Sequence, residues 1–243
     1  MKKSKARAKR PTDPAPFLQQ FGQPKPRSRR TRRVSALFGL RHDEPEHPTT
    51  NHEPPTPPAP PAPGQVMFIG GPSGGGKSTL LRHMIKTAKR RKHLVLDVGT
   101  RQLPNKPAVD CLPELAVESA LALLGKAGLG EAWCYLRRPS ELSDGQRWRL
   151  RLAVAVDDAR RLAQGRTTLL VCDEFAALLD RVTAAVVARS LRKMIDSTQL
   201  PIAAILVTSH DDLHRALQPN VAVRCDFGQV TVSKSPVTSG TNR

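Results

Sequence analysis

The chain has 243 residues, room for one α/β domain of ordinary size with tails, and no apolar run nears the roughly 20 residues that span a bilayer. Hydrophobic residues make up 39%, below the usual globular share, so part of the chain is expected not to fold. Lys and Arg number 39 against 21 Asp and Glu, a net charge of +18, which favours a polyanionic partner: DNA, RNA or an anionic membrane surface. The four cysteines (Cys111, Cys134, Cys172, Cys225) are scattered with no C-x-x-C pair. They read as reduced thiols of a cytoplasmic protein, not as a zinc site or a disulfide frame. The basic N-terminus has no apolar stretch after it, so no secretory signal is expected.

Residues 1–63 hold 14 of the 22 prolines and few large apolar residues, so they are expected to stay disordered. Their charge is blocked. Residues 1–41 carry 13 Lys or Arg against Asp13 alone, whereas residues 42–63 carry four acids and no basic residue. The basic block, residues 27–33 above all, reads either as an arm that binds nucleic acid or as a solvated tail. The acidic block ends in a Pro-rich run, a stiff extended spacer. His42, His47 and His52 lie there, but their spacing matches no metal-ligand motif.

An ordered domain is expected over residues 64–232. Residues 65–70 form a short apolar run bounded by Gly, a buried strand. Residues 71–79 then read Gly-Pro-Ser-Gly-Gly-Gly-Lys-Ser-Thr, which fits the phosphate-binding loop. Apolar residues at helical spacing follow: Leu81, Met84, Ile85 and Ala88. So the motif sits between strand and helix, where its chemistry needs it. Gly71, Ser73, Gly74, Gly75, Gly76 and Thr79 would curl backbone N–H groups around phosphate. Lys77 would reach the β- and γ-phosphates, and Ser78 would ligate Mg²⁺. Further along, strands are expected at residues 94–98, 168–172 and 202–207, with a closing pair within 221–232. Helices are expected at 114–124, from 145 to about 165, at 182–195 and at 211–217, and a Pro-rich loop at 103–113. Alternating strands and helices imply an α/β fold with a mainly parallel sheet covered on both faces. Residues 233–243 are expected to be a loose tail.

The strand at 168–172 ends in Asp173-Glu174. Acids at that place suit a carboxylate that holds Mg²⁺ and a second that activates water, although a strand end also carries plain exposed acids. Leu142-Ser143-Asp144-Gly145-Gln146 precedes the long helix. Here the chain resembles the ATP-binding-cassette (ABC) ATPases of the P-loop NTPase fold, whose signature is Leu-Ser-Gly-Gly-Gln. It keeps their order of phosphate loop, signature, acid pair, Asp180 in the D-loop place, and His210 closing a strand as the switch histidine. The segments around the signature, residues 135–141 and 147–151, are similar to soluble ABC-type ATPases sometimes fused to acetyltransferase-like domains. Their arginines suit a partner, nucleic acid or a solvated face paired with Asp157 and Asp158.

The resemblance implies ATP hydrolysis by a head-to-tail homodimer. Each ATP would lie between one subunit's loop and the other's Ser143, Gly145 and Gln146, with Asp180 nearby. Glu174 would be the general base, Asp173 would hold Mg²⁺ with Ser78, and His210 would contact the γ-phosphate. Three departures stand out. Asp144 replaces a signature glycine, no upstream aromatic is placed to stack on adenine, and Gln102 is the sole candidate for the family's Q-loop glutamine. With the basic arm, the first reading is ATP-driven work on DNA or RNA; the alternatives are the ATPase subunit of a membrane transporter and a nucleotide-gated binding module with little turnover.

Overall fold

A computed structural model describes residues 28–37, 57–197, 201–226 and 229–235. The basic stretch before residue 28, the acidic stretch with His42, His47 and His52, and most of the C-terminal tail lie outside the described residues.

Six strands form one sheet: β1 (Val66–Gly70), β2 (Leu94–Asp97), β3 (Thr168–Cys172), β4 (Ile202–Val207), β5 (Val221–Asp226) and β6 (Gln229–Lys234). Their order is β2-β3-β4-β1-β5-β6. All neighbours are parallel except β6, which returns antiparallel along β5. β1 lies in the middle, between β4 and β5, so the loop that follows it opens at the carboxyl edge beside the ends of β3 and β4. That edge is where open parallel sheets bind ligands.

Seven helices complete the described chain: α1 (Arg29–Leu37), α2 (Lys77–Arg90), α3 (Val117–Lys126), α4 (Ala132–Tyr135), α5 (Asp144–Leu162), α6 (Arg181–Ser197) and α7 (Leu213–Leu217). Side chains alternate across each strand and so feed two cores. On one face Met67, Ile69, Leu169, Val171, Ile205 and Val207 pack with Leu80, Leu81, Met84 and Ala88 of α2. On the other, Phe68, Leu170, Ala204 and Leu206 join Leu152, Ala155 and Ala159 of α5 and Ala184, Val187 and Leu191 of α6. Both faces are therefore covered, which is why β1, β3 and β4 are buried along their whole length.

Several local expectations shift. Residues 29–37, inside the stretch expected to lack order, are helical, with Ser28 and Thr31 exchanging backbone-to-hydroxyl bonds at the helix start. α3 starts at Val117 and not at 114, because residues 112–115 form a turn closed by Leu115 N–H on the Leu112 carbonyl. The Pro-rich loop contains a 3-10 turn, Ala108–Cys111. Asp157 and Asp158 are not partners for arginines on a solvated face of α5. They are 2% and 1% exposed, and they pair with Arg161 one turn on and, for Asp158, with Arg101 from the loop after β2.

Candidate nucleotide site

The loop after β1 is shaped by close approach to β5. Gly71 has φ +133°, and a Cβ there would collide with the Cys225 carbonyl oxygen. A Cβ on Gly75 would lie 2.8 Å from the same oxygen. Gly74 and Gly76 also hold positive φ, +76° and +99°, and Gly76 caps α2. The glycines are thus required by backbone geometry and by packing against β5, and the result is a cradle at the N-terminus of α2. Lys77 Nζ donates to the Gly71 and Pro72 carbonyls, each at 2.8 Å, so its ammonium is folded over the loop.

A cavity of about 420 Å³ opens above this cradle. Ser73, Gly74, Gly76, Lys77, Ser78 and Thr79 line it from the loop, and Asp173, Glu174 and Ala177 from the end of β3. Val207, Thr208 and Ser209 line it from the end of β4. Asp173 accepts the N–H of Glu174 at 3.1 Å. Glu174 itself is exposed and holds φ +53°, a left-handed backbone that a residue with a Cβ adopts only under constraint. The ammonium, the hydroxyl and the two acids therefore share one space.

Other candidates lie elsewhere. His210 is half-buried and does not line the cavity. Its N–H donates to Thr208 Oγ1 at 3.2 Å, and its carbonyl accepts from Leu213. Thr208, Ser209 and Ala177, which sequence reasoning passed over, line the wall instead. For Thr208 and Ser209, their place between the end of β4 and His210 was the available clue. Gln102 is exposed and outside the cavity. None of the cavity's lining residues is aromatic.

Ser143, Gly145 and Gln146 are also away from their own chain's cavity, at the tip of α5. Ser143 is exposed and caps the helix reciprocally with Gln146: Gln146 N–H donates to Ser143 Oγ at 3.3 Å, and Ser143 N–H to Gln146 Oε1 at 3.0 Å. Gly145 abuts the segment after Glu174, where its Cβ would lie 2.9 Å from the Leu178 carbonyl oxygen. Asp180 ends that segment as the cap of α6, accepting the Thr183 N–H at 3.0 Å. The hydrogen bonds from Thr183 hold its carboxyl below the ordinary carboxylate range. One short segment, residues 174–180, thus touches the cavity at one end and the α5 tip at the other.

No family model matches the chain. In sequence it is 28% identical over 188 residues to the zinc import ATP-binding protein ZnuC of Ruegeria pomeroyi, covering 71% of this chain and 68% of that protein. To ZnuC of Ruegeria sp. strain TM1040 it is 29% identical over 192 residues, covering 71% and 70%. In fold it is similar to the dimeric post-hydrolysis state of the ATP-binding cassette MJ0796 bound to ADP and Pi, with TM-score 0.51 and 21% identity over 71% of this chain and 86% of that one. A second dimeric structure of MJ0796, a bacterial ABC transporter cassette, gives TM-score 0.51 over 70% and 85%. Sheet, loop and these likenesses together give the chain the P-loop NTPase fold of the ATP-binding-cassette ATPases, the proteins it is similar to in sequence as well.

Proposed function

We propose that this chain is the ATP-hydrolysing subunit of a membrane transporter, working as a nucleotide-sandwich dimer on the cytoplasmic side. One observation carries the dimer. Lys77, Ser78, Asp173 and Glu174 share a cavity, whereas the Ser143 tip of the same chain is exposed and does not line it. The relatives named as zinc import ATP-binding proteins favour a membrane partner over nucleic acid as the site of coupling. No helix among the described residues is long and apolar enough to cross a membrane, so the membrane part would come from another chain.

In this reading residues 64–232 are the ATPase domain, with tails on either side. The N–H groups of residues 71–79 receive the phosphates, and Lys77 leaves the Gly71 and Pro72 carbonyls for the β- and γ-phosphates. Ser78 and Asp173 line the same cavity, one from the loop and one from the end of β3, and would offer a hydroxyl and a carboxylate. They are hard oxygen donors few enough to leave places for phosphate and water, which suits Mg²⁺. When bound, that ion would neutralise phosphate charge. Glu174 takes a proton from the attacking water. His210, next to the lining residue Ser209, orients the γ-phosphate. Ser143, Gly145 and Gln146 of the second copy close the site, and Asp180 anchors the segment beside them.

Steady-state ATPase assays test the chemistry: Lys77→Ala and Glu174→Gln should each lose at least a hundredfold in rate. Glu174→Gln should also form a dimer in ATP and Mg²⁺ by light scattering. Wild-type turnover no higher than that of Lys77→Ala would leave a nucleotide-gated module in its place. Co-purification with an integral membrane protein tests the coupling. A second reading, work on DNA or RNA, is favoured by α1, whose Arg29, Arg30, Arg32 and Arg33 are all exposed. It requires salt-sensitive binding that vanishes when residues 1–41 are removed, together with an ATPase rate raised by nucleic acid and not by liposomes.

A further inference from the structure

Asp144 is the first residue of α5, at the tip that the γ-phosphate of a second copy's ATP would approach. An unpaired carboxylate there would repel the phosphate. The structure pairs it. Arg147 Nη1 donates to Asp144 Oδ1 at 3.0 Å. The other nitrogens of that guanidinium are also engaged. Nε donates to the Pro139 carbonyl at 2.8 Å, and Nη2 to the Leu142 carbonyl at 2.9 Å. Pro139 opens the 3-10 turn Pro139–Glu141, and Leu142 immediately precedes Ser143. One planar fork therefore closes the turn, fixes the peptide before Ser143 and offsets the charge of Asp144. A lysine could supply the charge but not the three-way geometry. The Asp144 side chain is 73% exposed and that of Arg147 32%, so the arginine is the anchored member and holds the acid at the surface.

We propose that Arg147 is a positioning residue that makes an acidic signature compatible with the triphosphate held by a second copy. The inference rests on the sandwich dimer proposed above. It has two separable parts. The charge part should disappear when Asp144 loses its charge. The pinning part, through Pro139 and Leu142, should not. A purely structural arginine would show no rescue at Asp144.

The test uses the full chain carrying Glu174→Gln, and reads the ATP concentration that half-dimerises it by light scattering. Fluorescent ADP binding to the monomer reports the phosphate loop alone. Arg147→Ala should raise the half-dimerising concentration roughly tenfold, less at high salt, and leave ADP binding unchanged. Adding Asp144→Asn should recover most of that loss. Arg147→Lys should lie between parent and alanine variant. It also keeps the test available if Arg147→Ala does not fold, since it retains the charge and loses the fork. A parent that dimerises while Arg147→Ala or Arg147→Lys behaves identically overturns the inference alone. So does a double variant no better than Arg147→Ala. A parent that stays monomeric in ATP and Mg²⁺ overturns the sandwich reading, and this inference with it.

Discussion

Glu174 and Ala176 hold φ of +53° and +59°, where a side chain with a Cβ costs about 1–2 kcal/mol. What holds them there is the residue between. Phe175 donates its N–H to the Val207 carbonyl at 2.7 Å, and its ring is fully buried edge-on to Trp148 at 5.5 Å. The anchor points Glu174 into the cavity at the expense of local stability. Glu174→Gly should therefore melt higher than the parent, because the strain released exceeds the roughly 0.5–1 kcal/mol that glycine adds through chain entropy. Hydrolysis should end in the same variant. Glu174→Gln should end hydrolysis with no rise in melting temperature. Calorimetry showing the glycine variant melting below the glutamine variant would remove the strain argument. Gly145 gives the complementary case. Its Cβ would lie 2.9 Å from the Leu178 carbonyl oxygen and 3.2 Å from Leu179 Cδ2. Gly145→Ala should cost about 1–3 kcal/mol by overpacking, read as a lower urea midpoint.

At the level of elements, α5 shows how much could be read in the chain before its fold was known. Its start was expected at about residue 145, close to the observed Asp144, and the local signal that fixes it, the reciprocal cap of Ser143 and Gln146, was not used. The strands at 168–172 and 202–207 were legible because a strand covered on both faces is apolar throughout. The phosphate loop was legible because its glycines are fixed by chemistry and backbone geometry together. The inner acids of α5 were not. Asp157 and Asp158 beside arginines look like an exposed charged face, and only tertiary packing brings Arg101 from the β2 loop to Asp158. His210 was placed by motif order, which fixes its position in the chain and not the direction of its side chain. The buried acids carry a prediction. Removing one partner leaves a charge without compensation, at about 3–5 kcal/mol for a fully buried pair. Arg161 is 39% exposed, so solvent screens part of this, and Arg161→Ala should cost roughly 1–3 kcal/mol. Arg161→Ala together with Asp157→Asn and Asp158→Asn should be less destabilised than Arg161→Ala alone. A urea midpoint for Arg161→Ala equal to the parent's would show that neither acid depends on Arg161.

For the whole molecule, the informative surface is apolar. Leu178, Val182 and Val186 are 57%, 76% and 50% exposed; Val182 and Val186, four apart, form one apolar stripe of α6, and Leu178 lies in the segment before it. Leu178 is also the residue whose carbonyl abuts Gly145, so the segment leading into the stripe lies beside the signature tip. Exposed apolar residues near a polar half-site gain from contact with a second surface. In a head-to-tail pair, ATP would bring the tip and the stripe to the partner together. Apolar burial would supply affinity that the phosphate contacts, made among charged groups in water, do not supply alone. Val182→Glu places a charge on that stripe without touching the cavity. It should leave monomer nucleotide binding and thermal stability unchanged, since Val182 is exposed in the isolated chain. It should also weaken ATP-driven dimerisation in the Glu174→Gln background by roughly tenfold or more, the loss expected when an apolar contact is replaced by a desolvated charge. Salt should not restore it, because the penalty is desolvation and not long-range repulsion. Light scattering that shows the same ATP dependence with and without Val182→Glu would place the stripe outside the contact, and the dimer would then rest on the nucleotide alone.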